Sequence, residues 1–308
     1  VYAVDVDGDG DMDVLSASYN DDKIAWYEND GQANPTFTAH TISDSADGAQ
    51  SVYAADVDGD GDMDVLSASY GDNKIAWYEN DGSGSFTAHT ISTSVHGAAL
   101  VYAADVDGDG DMDVLSASSN DNTIRWYENN GAESFTAHEI TTSANGAWSV
   151  YAIDVDGDGD MDVLSASLSN DRIAWYENEG QANPTFTAHE ITDQADLARS
   201  VYAADVDGDG DIDVLSASQN DNKIAWYEND ASYTYAYGPV TGTDGGFKKS
   251  INTWITPTVN LDTTVTTTGD LRTTSFWLSG AEVTLDVDHL NALDGADLDV
   301  ANMNKIAG

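Results

Sequence analysis

The stretch VYAVDVDGDGDMDVLSAS, Val1–Ser18, returns with one or two substitutions at Val52, Val101, Val150 and Val201, in steps of 51, 49, 49 and 51 residues. Self-similarity at that period sets the organisation before any local propensity is weighed. Each copy runs on through a turn such as Asn20–Lys23 into IAWYENDG (Ile24–Gly31), and closes with FTAHTI (Phe37–Ile42). Val1–Val6, Asp13–Ser18, Ile24–Glu28 and Phe37–Ile42 are short runs rich in aromatic and β-branched residues. They are separated by turn formers such as Asn20-Asp21 and Asn29-Asp30-Gly31, so each unit reads as four strands and no helix. Four strands in about 50 residues is the size of a propeller blade, and radial packing of blades protects the edges a lone sheet would expose. Solenoid coils are usually shorter than this unit.

The expected fold is all-β: a five-bladed β-propeller over residues 1–238, followed by a small, Thr-rich β domain over 239–308. The fifth copy keeps KIAWYEND (Lys223–Asp230) but lacks the Phe-Thr-Ala-His phrase, and YTYAYGPV (Tyr233–Val240) is expected to supply its last strand. In the tail, Ala281–Leu290 and Ala296–Met303 alternate as strands do. Seventy residues are few for an independent core, so the tail is expected to dock on the propeller or on a neighbouring subunit, with strand donation as one route.

Within the repeat, Asp5–Asp13 places aspartate at every second position with Gly8 and Gly10 between. Calcium takes six to eight oxygen ligands, and carboxylates at positions 1, 3, 5 and 9 with a carbonyl at 7 can wrap it. Gly10, at position 6, allows the turn. An EF-hand would need Glu at position 12, where Ser16 stands inside a strand, so that motif is rejected. Salt-adapted acidity would scatter, whereas these offsets recur five times. Magnesium, which prefers octahedral and water-rich sites, fits less well.

These units resemble the FG-GAP or VCBS-type repeats of extracellular β-propellers, including those of integrin α subunits, over residues 1 to about 240. The motif D-x-D-G-D-G-x-x-D is met in all five. The resemblance implies one calcium ion per repeat, held between the first two strands. The ligands carried over are Asp5, Asp7, Asp9 and Asp13 with the carbonyl of Asp11; Asp56, Asp58, Asp60 and Asp64 with Asp62; Asp105, Asp107, Asp109 and Asp113 with Asp111; Asp154, Asp156, Asp158 and Asp162 with Asp160; and Asp205, Asp207, Asp209 and Asp213 with Asp211.

Fifty-six acidic against ten basic residues give a formal charge of −46. Such a charge repels nucleic acid and anionic membrane, and destabilises a compact chain unless cations offset it. Five Ca2+ would leave about −36. There is no cysteine, hence neither disulfide nor thiolate site. No apolar run approaches the ~20 residues of a membrane span. The chain opens at Val1 inside a repeat, without initiator Met or signal peptide, as a mature form or an excerpt of a longer precursor would.

Trp26, Trp77, Trp126, Trp175 and Trp226 recur beside Tyr27, Tyr78, Tyr127, Tyr176 and Tyr227. Alternation along a strand puts Trp and Tyr on opposite faces, with Trp packed between blades; exposed aromatics would instead stack on sugar rings. His40, His89, His138 and His189 lie in separate units and are expected to serve packing. No nucleophile elbow, HExxH or phosphate loop is present, and the residues that break the repeat symmetry are His96, Trp148, Leu197 and Arg199. The expectation is therefore a non-catalytic, calcium-stabilised, extracellular or cell-surface structural or adhesive protein. It would self-associate, as in a surface fibre, or meet other surface proteins. The alternative is a carbohydrate-binding propeller, a lectin or the accessory module of a polysaccharide-degrading enzyme, with glycans as partners.

Overall fold

The computed structural model describes residues 1–230, 253–255, 275–278 and 281–284. Chain contacts divide it into two units, Val1–Thr258 and Val259–Gly308. Among the described residues there is no helix, and hence none able to cross a membrane.

The first unit is five antiparallel four-stranded sheets, each with its strands in chain order. Blade 1 comprises β1 (Tyr2–Val4), β2 (Asp13–Ser18), β3 (Lys23–Asn29) and β4 (Phe37–Ser43). Blade 2 comprises β5 (Ala49–Ala55), β6 (Asp64–Ser69), β7 (Lys74–Asn80) and β8 (Phe86–Ser92). Blade 3 follows with β9 (Ala98–Ala104), β10 (Asp113–Ser118), β11 (Thr123–Asn129) and β12 (Phe135–Thr141). Blade 4 has β13 (Ala147–Ile153), β14 (Asp162–Ser167), β15 (Arg172–Asn178) and β16 (Phe186–Thr192). Blade 5 has β17 (Ala198–Ala204), β18 (Asp213–Ser218), β19 (Lys223–Asp230) and β20 (Thr253–Ile255). This is the propeller-like architecture expected of the repeats.

Two boundaries differ from the expected ones. The innermost strand starts three residues before the repeated phrase, at Ala49 in blade 2. It stops before the loop, because the amide of Val6 and its counterparts turns to an aspartate side chain instead of the ladder. In blade 5 the fourth place belongs to β20, which pairs Asp230 with Thr253 and Glu228 with Ile255. Tyr233–Val240 lies outside the described residues. In the second unit, β21 (Ser275–Leu278) and β22 (Ala281–Thr284) form a hairpin, while Ala296–Met303 is likewise outside the described residues.

Register fixes the two faces of every blade. Leu15 pairs with Trp26, and Trp26 with His40, so all three project to one side; Val14 pairs with Tyr27, on the other. Four cores result, each between consecutive blades. Leu15, Ile24 and Trp26 of blade 1 pack on Val52, Val65 and Tyr78 of blade 2, and the same combination repeats at each later seam. Each fully buried Ile or Leu contributes about 1.5–3 kcal/mol, so every seam is worth several such terms before entropy is counted. Along the inner strands, Tyr2, Tyr53, Tyr102, Tyr151 and Tyr202 form a ladder of rings 4.6–5.1 Å apart. Burial among one another pushes Tyr53 up to about 12.

Candidate metal centre

Each DxDGDG loop leaves the first strand of its blade and re-enters as the second. In blade 1, the Asp5 carboxylate accepts the amides of Gly8 at 2.8 Å and Gly10 at 2.9 Å, which curls the loop around it. That curl needs Gly10 at φ 94°, a left-handed conformation that side chains resist. Asp13 is buried at the start of β2, where it accepts the amides of Val6 at 3.0 Å and Asn29 at 2.7 Å. It thereby ties the loop to the third strand. All five repeats share this pattern at Asp64, Asp113, Asp162 and Asp213.

The outcome is a cage of three carboxylates per repeat with ligand oxygens within 4.8 Å of one another. The sets are Asp5, Asp7 and Asp13; Asp56, Asp58 and Asp64; Asp105, Asp107 and Asp113; Asp154, Asp156 and Asp162; and Asp205, Asp207 and Asp213. Two oxygens on one calcium ion, each at about 2.4 Å, lie no farther apart than about 4.8 Å, so the spacing and the all-oxygen donor set fit that ion.

Of the five aspartates expected per loop, the structure brings these three together. Asp9 turns its carboxylate to the amide of Asp11 at 2.9 Å. The Asp11 carboxylate lies over Gly31, where a Cβ would overlap it. The same holds for Asp62 over Gly82, Asp111 over Gly131 and Asp160 over Gly180. The fifth repeat has Ala231 at this position, outside the described residues.

The electrostatics calls for a cation. The paired Lys and Arg residues meet Asp21, Asp72, Asp121, Glu139 and Glu190, all outside the loops. Burial, partly offset by backbone hydrogen bonds and reinforced by neighbouring carboxylates, pushes Asp64 up to about 6 and Asp113 and Asp162 up to about 7. Asp7, Asp58 and Asp107 are raised for the same reasons.

A residue the sequence reading took for a turn former completes the loop. Nδ2 of Asn80, at the end of blade 2, donates to the carbonyl of Val6, inside the blade 1 loop, at 2.9 Å. Asn129 reaches Val57 at 2.9 Å, Asn178 reaches Val106 at 2.9 Å, and Asn229 reaches Val155 at 3.2 Å. Each loop in blades 1–4 is thus latched by the next blade. The signal was the unbroken recurrence of Asn29, Asn80, Asn129, Asn178 and Asn229, but a contact 72 to 74 residues away is invisible within one repeat.

The other repeated side chains are structural. Trp26, Trp77, Trp126 and Trp175 are buried between blades, and Tyr78, Tyr127, Tyr176 and Tyr227 are buried on the opposite faces. Those four hydroxyls meet Ser67, Ser116, Ser165 and Ser216 at 3.1–3.3 Å. His40 stacks on Trp26 and bonds Glu28 at 2.8 Å, an arrangement repeated at His89, His138 and His189. Of the residues that break symmetry, Arg199 lies over the Trp148 ring at 4.5 Å, and Leu197 holds a left-handed φ of 58°.

Fold and site together define a tandem-repeat, propeller-like β protein with one acidic oxygen cage in every blade. The FG-GAP-like repeat model matches residues 5–67, 56–116, 105–165 and 154–216, and the chain belongs to that family. No curated protein matches the chain. Among solved structures it is similar to a protein from Lactobacillus plantarum (TM-score 0.52, 14% identity, 82% of this chain and 69% of that one). It is also similar to a candidate 6-phosphogluconolactonase from Bacteroides uniformis (TM-score 0.50, 14% identity, 71% and 64%). At that identity both show the fold alone. The V. cholerae biofilm matrix protein Bap1 aligns at TM-score 0.43 and 23% identity over 73% of this chain, which spans 36% of Bap1.

Proposed function

We propose that this chain is a non-catalytic structural or adhesive module that works outside the cell or at its surface, with one calcium ion stabilising each blade. The observation that carries the reading is the fivefold recurrence of three converging aspartate oxygens, one of them buried in every case. Asp5, Asp7 and Asp13 and their counterparts would hold the ion. The ion would supply the positive charge that lets five acidic loops persist in a chain of formal charge −46. Because the cage aspartates also bond the loop and third-strand amides, filling the site stiffens the joint between the first three strands of a blade, and ion binding becomes folding free energy. Membership of the FG-GAP-like repeat family supports an extracellular setting, where calcium is plentiful enough to fill modest sites. The carbohydrate-binding alternative needed a repeated exposed aromatic, and the Trp and Tyr of blades 2–4 are buried instead.

The test is thermal unfolding in millimolar calcium and after chelation, with calorimetric titration of the ion. A site filled at a hundred times its Kd adds about 2.7 kcal/mol. Calcium should therefore raise Tm by at least about 10 °C. An unchanged Tm with no binding heat would remove the calcium reading.

A further inference from the structure

The four seams between blades are chemically one interface, repeated. The leading face offers Leu, Ile and Trp together with a loop valine carbonyl, and the following face offers Val, Tyr and Phe together with the latch Asn. Five blades make four such seams, which leaves one half-interface of each kind at the two ends. On blade 5, Ile224 is 76% exposed where Ile24, Ile75, Ile124 and Ile173 are fully buried. Leu215 and Trp226 are only partly buried there. Val206 is 47% exposed, whereas Val6, Val57, Val106 and Val155 stand at 1–2%. On blade 1, Val14 and Tyr27 are partly open and Phe37 is 48% exposed. Asn29 Nδ2 bonds Met12 O of its own blade, while its counterparts reach across the seam as well.

We propose that blade 1 of one chain docks on blade 5 of a second copy, head to tail, placing Asn29 on the Val206 carbonyl and Tyr27 and Phe37 against Ile224 and Trp226. The second copy is the occupant these faces fit, because they are the two halves of a contact the chain already makes four times. Phe86 against Trp26 and Phe135 against Trp77, each with ring centroids 6.4 Å apart, show the pairing that Phe37 and Trp226 would repeat. Charge agrees. Arg199 and Lys223, two of only ten basic residues, line the blade 5 hollow, which would receive an acidic partner. A heterologous contact of this kind builds an open filament or a larger ring.

Docking also bears on the fifth cage. Asp205 and Asp207 are exposed, while the equivalent pairs in blades 1–4 are partly buried. The latch from a second copy would cover that loop, so its calcium affinity should rise with assembly. This last step rests on the calcium reading; the docking does not.

The chain has no cysteine, so introduced ones report cleanly. One preparation carries Phe37→Cys, another Trp226→Cys, and a third both, each treated with a short bis-maleimide in millimolar calcium. The proposal expects a cross-linked pair in the mixture of single variants. A product confined to one doubly substituted chain would overturn it in favour of self-closure, and no product would overturn it outright. Sedimentation of the unmodified chain from about 1 to about 100 µM gives an independent readout. Association should appear across that range and should require at least about tenfold more protein in Ile224→Asp or Asn29→Ala. Both positions are solvent-accessible in the single chain, so these variants should still fold. A chain that stays monomeric throughout, or association indifferent to Ile224→Asp, would contradict the docking. Persistence of the contact in a chain that binds no calcium would sink the calcium reading alone.

Discussion

The loops Asp105–Asp113 and Asp205–Asp213 share the sequence DVDGDGD, and each has a buried aspartate anchoring the second strand of its blade. They differ in company. The blade 3 loop has Asn178 of the next blade on its Val106 carbonyl, and its Asp105 and Asp107 are partly buried. The blade 5 loop has no following blade, and its Asp205 and Asp207 are exposed. Identical residues therefore form unequal sites: the repeat supplies the ligands, and the neighbouring blade supplies the shielding and the rigidity that make them a site.

Removing the ion is the strongest way to break this comparison, because it acts on every loop at once. Chelation should lower Tm by at least about 10 °C, and loops 1–4 should contribute more of that loss than loop 5. Hydrogen exchange at Gly10, Gly61, Gly110, Gly159 and Gly210 would apportion it.

Truncating one side chain at matched positions sharpens it next. Ile124→Ala opens a cavity in a closed seam and should cost about 2–4 kcal/mol, whereas Ile224→Ala, on an open face, should cost less than about 0.5 kcal/mol in the monomer. Urea unfolding of the two variants is sufficient. Asn129→Ala should follow at about 1–3 kcal/mol, since it strands the buried Val57 carbonyl. Asn29→Ala, with a single exposed bond inside its own blade, should stay under about 1 kcal/mol.

Acidity gives the smallest and most diagnostic effect. Asp64, Asp113 and Asp162 have folded values near 6 to 7 against about 3.8 unfolded, so the metal-free fold binds protons more tightly than the unfolded chain. The stability they contribute is complete below pH 3.8 and is lost as pH rises to about 7. Melting of the metal-free protein should thus weaken over that window. In saturating calcium the trend should reverse, because the ion competes with those protons.

Much of this was legible beforehand because it is local. The period, the second to fourth strands and the opposed faces of Trp26 and Tyr27 follow from alternation within one unit, and the DxDGDG loops from the ligand needs of a hard cation. What escaped depends on contacts between units. The latch of Asn80 on Val6 spans 74 residues, so Asn29 and its counterparts read as turn residues. Asp9 and Asp11 match the motif as well as Asp5 does, yet their carboxylates are diverted to the Asp11 amide and to the surface over Gly31. The burial of Tyr78 and the openness of Ile224 are decided by whether another blade lies alongside. The strand that completes blade 5 was misplaced because β20 lacks the Phe-Thr-Ala-His phrase that marks the others.

Counting calcium ions by native mass spectrometry, at protein concentrations low enough to hold single chains, tests the central claim most directly. The account predicts four tighter sites, with a fifth weaker by at least about tenfold that strengthens when the chains associate. Five equivalent sites at all concentrations would contradict the role of the neighbouring blade, and no bound calcium would contradict the metal centre itself.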